Sequence, residues 1–97
     1  MMEPTLPPDY NYRKSAPYPI AMVVWADAHA GEGGWQELSA FEDDGECLVT
    51  TVGFIVPAGE GGKEGHTTIW QTINDGEGIN PFHIPQGMVR SLKIISE

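Results

Sequence analysis

The stretch Phe82-His83-Ile84-Pro85-Gln86-Gly87-Met88-Val89 indicates how this chain folds. Its apolar residues are typical of strands, whereas Pro85-Gln86-Gly87 between them is typical of a turn. The stretch therefore predicts a strand, a single tight turn and then a last strand over 88–95. Pro81, just before the stretch, suits an edge strand because proline cannot donate to a ladder of backbone hydrogen bonds.

Upstream of this stretch, three more segments have strand patterns. Segment 20–28 is apolar on both faces, which indicates a strand covered on both sides. Segment 46–57 alternates and holds Gly53 in its middle, where a bulge or sharp bend is the usual reason for a glycine. Segment 65–74 leads into Asp75-Gly76, a hairpin signal. With 79–84 and 88–95, these segments predict an all-β fold with little helix, a five-stranded small barrel.

Residues 1–19 differ in composition from the predicted barrel domain, residues 20–97. They hold five of the eight prolines and all three tyrosines, a composition typical of a disordered or extended arm. Two interpretations stay open. The arm is either a flexible leader, or its tyrosines dock on a neighbouring subunit or another partner.

The formal charge of −9 lies entirely in the domain, where twelve acidic residues face Lys63, Arg90 and Lys93. Three separated cations form no stripe that follows a phosphate backbone, so we expect no duplex nucleic acid as a partner. The chain has no long apolar run and no signal-peptide pattern, and Cys47 is its single cysteine. These features predict no membrane span and a cytoplasmic location.

The residues that most often carry chemistry form no recognisable motif. Asp27, His29, His66 and His83 have no spacing that forces them together, so we expect no metal site. Cys47 follows Glu46, whose charge disfavours a reactive thiolate, so we expect a structural thiol. With no cofactor fingerprint in the chain either, we expect no cofactor and no enzymatic activity.

Trp70 is the first candidate ligand-binding residue. It shares strand parity with His66 and Thr68, opposite Ile69 and Ile73. If the isoleucines face the core, Trp70 lies on a polar face between hydroxyl groups, where a tryptophan can stack on a base. In the alternative interpretation, the long loop 29–45 or a second core covers Trp70.

His66 and Thr68, on the same predicted face as Trp70, are further candidate ligand-binding residues, and two more residues complete the candidate site. Trp25, at the end of the first strand, offers a second stacking surface. Arg90 has the parity of the apolar residues of the last strand. An isolated arginine in such a place either pairs with an acid or binds a phosphate.

The order strand, Ile84-Pro85, one tight turn, Val89, last strand resembles the ending of Src-homology-3-like (SH3-like) and Sm-like small barrels. The chain is also similar to small bacteriophage-encoded proteins, through Trp25-Ala26-Asp27-Ala28, Gly34-Trp35, Thr51-Val52-Gly53-Phe54 and the Ile84–Val89 stretch. These resemblances imply a phage origin and, from Sm-like barrels, assembly through paired edge strands. They imply no catalytic residues.

We therefore expect a phage-encoded, non-enzymatic binding protein that forms a homo-oligomer, because so short a domain has a thin core of its own. Its expected ligand is a nucleotide signal of host antiviral defence, which the protein sequesters in the host cytosol. Two alternatives stay open. The protein is an acidic inhibitor or DNA mimic directed at a host protein, or it is a virion or assembly accessory protein.

Overall fold

A computed structural model describes residues 5–27, 35, 37–40 and 45–97. Within these residues the chain forms five strands and three short 3₁₀ helices, with no α-helix, which confirms the predicted all-β class. No helix in the described part is long and apolar enough to cross a membrane. The strands are β1 (Ile20–Asp27), β2 (Cys47–Ile55), β3 (His66–Asn74), β4 (Glu77–Pro85) and β5 (Val89–Ser96), and the 3₁₀ helices are Tyr12–Lys14, Leu38–Ala40 and Gln86–Met88.

The five strands form one antiparallel sheet in the order β4-β3-β2-β1-β5, so the last strand lies beside the first. The predicted turn before the last strand is the 3₁₀ helix at Gln86–Met88. The predicted hairpin at Asp75-Gly76 joins β3 to β4, and both residues have the positive φ that such a two-residue turn requires. Strands β4 and β5 are the edges of the described sheet, which is therefore open, and a closed barrel is not observed.

The middle of the sheet is held by a short contact between β2 and β3. Their pairing covers only Phe54 with Trp70 and Ile55 with Ile69, although each strand has nine residues. Gly53 is next to this contact. A Cβ atom at Gly53 would lie 2.5 Å from Ile69 Cγ2 and 2.7 Å from the Trp70 carbonyl oxygen. The glycine is needed because β3 approaches the backbone of β2 too closely for a side chain.

The core lies on one curled face of the sheet. Its centre consists of Ala21, Val23 and Trp25 from β1 with Ile69 from β3 and Ile84 from β4. The Trp25 ring also lies 5.3 Å, centroid to centroid, from the ring of Phe82 on β4. Two strands separate β1 from β4 in the sheet, so these contacts require the sheet to curl round the core.

The described part of the arm, residues 5–19, packs against the domain. Ala16 is buried, and the carbonyl groups of Ser15 and Pro19 accept hydrogen bonds from the N–H groups of Asp75 and Ile55. The Tyr12 hydroxyl is 2.9 Å from Ser96 Oγ. Proline-rich chain retains its carbonyl acceptors, and here the ends of the sheet supply donors for them.

Candidate functional site

A cleft with a volume of about 660 Å³ lies between the arm, the end of β2 and the loop that leads into β3. We call it the proline cleft, after Pro17, Pro19 and Pro57. Its polar lining includes Lys63, His66 and Gln86. The whole lining consists of Pro17, Tyr18, Pro19, Ile55, Val56, Pro57, Ala58, Glu60, Lys63, Glu64, Gly65, His66, Thr67, Thr68 and Gln86.

The loop 57–65 forms one wall of this cleft, and its shape follows from its glycines. The Gly62 N–H donates to the Pro57 carbonyl oxygen at 3.0 Å, which closes the loop. A Cβ atom at Gly62 would lie 2.4 Å from the Val56 carbonyl oxygen, so the backbone approaches too closely for a side chain. The tight loop carries Lys63 to the edge of the cleft.

Thr68 fixes this loop to the sheet. Its side chain is buried, and its hydroxyl oxygen accepts the backbone N–H of Lys63 at 3.0 Å. The same oxygen is 2.8 Å from Nδ1 of His83 on β4. A buried hydroxyl needs partners of this kind because an unpaired polar group in the interior is destabilising. Thr68 therefore holds the cleft in shape.

His66 has a defined tautomer in its neutral form. Its Nδ1 lies 2.7 Å from the Glu64 carbonyl oxygen, and a carbonyl oxygen only accepts hydrogen bonds. Nδ1 therefore carries the hydrogen, and Nε2 of the neutral ring carries the lone pair. His66 thus brings a hydrogen-bond acceptor to the lining of the proline cleft.

Tyr18 connects the arm to the loop and borders a second cleft. Its hydroxyl donates to Glu60 Oε1 at 3.4 Å. Desolvation raises the pKa of Tyr18, and the charge and hydrogen bond of Glu60 raise that pKa further. Tyr18 therefore stays protonated and keeps its donor over the physiological pH range.

The second cleft, which we call the tryptophan cleft, has a volume of about 130 Å³. It adjoins the proline cleft, since Tyr18, Val56 and Glu60 line both. The complete lining of the tryptophan cleft is Tyr18, Val56, Glu60, Gly61, Trp70, Ile73, Gly76, Glu77 and Gly78.

Trp70 is half-buried in the tryptophan cleft, and its indole N–H donates to the Gly61 carbonyl oxygen at 2.9 Å. The loop 57–65 therefore covers part of the ring, whereas the long loop 29–45 of the alternative interpretation lies mostly outside the described residues. Ile69 faces the core, but Ile73 lines the same cleft as Trp70. Strand parity alone therefore does not separate Ile73 from Trp70, because both residues line one cleft beside the β3–β4 hairpin.

The structure divides the five candidate ligand residues among four places. His66 and Thr68 line the proline cleft, while Trp70 lines the adjoining one. Trp25 belongs to the core, where its indole N–H donates to Thr51 Oγ1 at 2.9 Å. Arg90 lies at the start of β5. The fold therefore does not bring Trp25 and Arg90 together with Trp70 round one ligand.

Arg90 pairs with an acid, which is one of the two roles that the sequence left open. Its Nε donates to both carboxylate oxygens of Glu46 at 2.9 Å, and its terminal nitrogens reach Glu46 Oε1 and the Gly87 carbonyl oxygen. These hydrogen bonds lower the pKa of Glu46. The ion pair joins Glu46, immediately before β2, to the start of β5.

Comparison with known proteins found no match among protein families, curated proteins or solved structures. The function is therefore inferred from the residues that line the clefts.

Several residues of the proline cleft escaped sequence reasoning. Tyr18 belongs to the arm, and Gln86 lies in the turn before β5. Lys63 stood out only as a cation in a glycine-rich loop. None of the three has a periodic pattern round it, so the only available signal was their residue type.

The described metal-ligating side chains lie within residues 5–27, 35, 37–40 and 45–97. Within them no group of three histidine, cysteine, aspartate or glutamate side chains could hold a metal ion. His29 lies outside the described residues. Cys47 is exposed and opposes Asp27 across the β1–β2 pair.

Replacing Glu46 by glutamine is expected to lower the melting temperature at neutral pH but to have less effect in acid. Because Arg90 lowers the pKa of Glu46, the pair stabilises the fold above the ordinary pKa of a glutamate, and this contribution disappears as pH falls through the lowered value. The effect is small because both side chains are exposed. Melting curves from about pH 7 to about pH 3 test this.

The matched control for this experiment is Glu77→Gln, which removes the same charge from the edge strand β4. A Glu46→Gln effect that stays constant over the pH range, or that Glu77→Gln reproduces, contradicts a stabilising role of the ion pair.

Proposed function

We propose that the protein is a non-enzymatic binding protein that holds a small organic ligand in the proline cleft. The observation that carries the proposal is the cleft itself. Its volume of about 660 Å³ is in the range of small-molecule sites, and apolar walls surround a few polar groups. Lys63, His66 and Gln86 supply a cation, an acceptor and an amide, which are suited to orienting a polar ligand.

The proposed ligand is a nucleotide, and the biological role is sequestration of a nucleotide signal of host antiviral defence. Support for the role is the sequence resemblance to phage proteins. Support for the ligand class is Lys63, the cation of the cleft lining. Lys63 is proposed to bind the phosphate, because Arg90 is paired with Glu46. Because Glu60 and Glu64 line the same cleft, a nucleotide with one phosphate fits it better than a polyphosphate.

Calorimetric titration with cyclic and linear mononucleotides tests this function. Lys63→Ala is expected to weaken binding by about tenfold, because the phosphate loses a charge-assisted hydrogen bond. The variant keeps the backbone N–H that Thr68 accepts. Arg90→Ala is the matched control, since Arg90 is paired with Glu46 and is not part of the cleft lining. Absence of nucleotide binding by the wild-type protein, or equal losses in both variants, contradicts the proposal.

The second candidate function is an acidic inhibitor directed at a basic host protein. The observation that favours it is the charge of −9, together with the two glutamates of the tryptophan cleft. An accessory role in virion assembly has no specific support in either cleft.

We also propose a homo-oligomer. Both edge strands expose large apolar side chains, Ile79 and Phe82 on β4 and Leu92, Ile94 and Ile95 on β5. Unpaired edges with apolar side chains favour strand pairing between copies. Sedimentation velocity at micromolar concentration is expected to give a species larger than the 10.6 kDa chain, and a monomer contradicts the proposal.

The finer fold assignment, an SH3-like or Sm-like barrel in the cytoplasm of an infected cell, belongs to the same proposal. It is supported by the position of β5 beside β1, by the 3₁₀ helix between β4 and β5, and by the contact of Trp25 with Phe82. The proposed cytoplasmic location rests on the single cysteine of this sequence.

A further inference from the structure

The tryptophan cleft combines two aromatic rings with two acidic residues. Tyr18 and Trp70 supply the rings, and Glu60 and Glu77 supply the carboxylates. The described lining contains no lysine, arginine or histidine. A phosphate would therefore meet carboxylates and no opposite charge, whereas a cation would meet two carboxylates and the negative faces of aromatic rings.

The Trp70 ring is fixed before any ligand arrives. Its N–H donates to the Gly61 carbonyl oxygen at 2.9 Å. Gly78 lies close to the six-membered part of the ring. A Cβ atom at Gly78 would be 2.7 Å from Trp70 Cε3 and 3.1 Å from Cζ3. A ring held in this way loses little conformational freedom on binding, which favours affinity.

The size of the cleft restricts what enters it. A volume of about 130 Å³ is below the range for drug-sized ligands, so it suits a single head group. The hydrogen bond from the Tyr18 hydroxyl occupies Oε1 of Glu60, and a carboxylate has further acceptor sites for a cation. The net charge of −9 attracts cations toward the surface.

From these observations we propose that the tryptophan cleft binds an organic cation, the guanidinium or ammonium head of an arginine or lysine side chain on a basic protein partner. The aromatic rings contact the face of the cation, and Glu60 and Glu77 supply the opposite charge. This proposal does not rest on the nucleotide proposed for the proline cleft, although Tyr18, Val56 and Glu60 line both clefts.

The test is a titration of the full chain with N-acetyl-arginine amide and N-acetyl-lysine amide, followed by the indole N–H resonances in two-dimensional NMR spectra. We expect the Trp70 resonance to shift and the Trp25 resonance, in the core, to stay. A longer arginine-containing peptide is expected to bind more tightly than the single amino-acid amides if the cation belongs to a protein. Equal affinities of the peptide and the single amides contradict a protein partner. Wild-type protein that shows no Trp70 shift with either amide overturns the site.

Conservative variants separate a site from general charge attraction. Glu60→Gln and Glu77→Gln are each expected to weaken binding of the arginine amide by about threefold to tenfold. Glu64→Gln, which removes the same charge from the proline cleft alone, is the matched control. Equal losses in all three variants, or a Trp70 shift with adenosine monophosphate and none with the amides, overturn the proposal. Nucleotide binding that depends on Lys63 leaves it unaffected, so the two sites can fail separately.

Discussion

Replacing Gly53 by alanine is expected to destabilise the fold by about 2–3 kcal/mol. The new methyl group would lie 2.5 Å from Ile69 Cγ2 and 2.7 Å from the Trp70 carbonyl oxygen. The second contact is with backbone, so a change of rotamer does not relieve it. β2 or β3 has to move, and the two residue pairs that join these strands lie directly beside the clash.

Thermal unfolding measures this effect. A loss of this size lowers the melting temperature of a domain of this length by about 10 °C or more. Gly87→Ala is the matched control, because a Cβ atom at Gly87 meets nothing within 4 Å and its φ is not in the left-handed region. Similar melting temperatures for the two variants would show that β3 does not approach β2 as closely as the structure has it.

Replacing Ile84 by alanine is expected to destabilise the fold by about 2–5 kcal/mol. The Ile84 side chain is completely buried and packs in the cluster that includes Val23 and Ile69. Its truncation removes apolar contacts and leaves a cavity where the edge strand β4 meets the core. A domain of this size has a total stability of about 5–10 kcal/mol, so the variant loses a large part of it.

Ile79→Ala on the same strand is the control, because the Ile79 side chain is 59% exposed. It makes the same chemical change and is expected to alter stability by less than about 1 kcal/mol. Urea unfolding of both variants provides the comparison. If the two free energies of unfolding are equal, the core is not where the structure places it.

The secondary structure of this protein follows from local sequence. Runs of β-branched residues predict the strands, because such side chains suit a pleated surface. Asp75-Gly76 predicts the hairpin between β3 and β4, because these residues tolerate the left-handed backbone that the turn needs. Pro85-Gln86-Gly87 predicts the turn at Gln86–Met88, because proline and glycine are typical of turns, and Pro81 lies on an edge strand as predicted.

The docking of the arm and the composition of the clefts depend on tertiary structure. The proline cleft draws residues from the arm, β2, the loop 57–65, β3 and the turn before β5. No short stretch of sequence contains enough of them to reveal the site. Trp70 shows the limit of strand parity, since Ile73, which has the opposite parity, lines the same cleft.

The partner of Arg90 shows why sequence and tertiary structure answer different questions. The sequence offered twelve acidic residues in the domain and no reason to choose among them. In the sheet, β1 lies between β2 and β5, and its last residues pair with Cys47 on one side and Val89 on the other. This places Glu46 and Arg90 at the same end of the sheet, although they are 44 residues apart in the chain. Strands form from neighbours along the chain, but ion pairs and clefts form from neighbours in space, and strand order decides which residues those are.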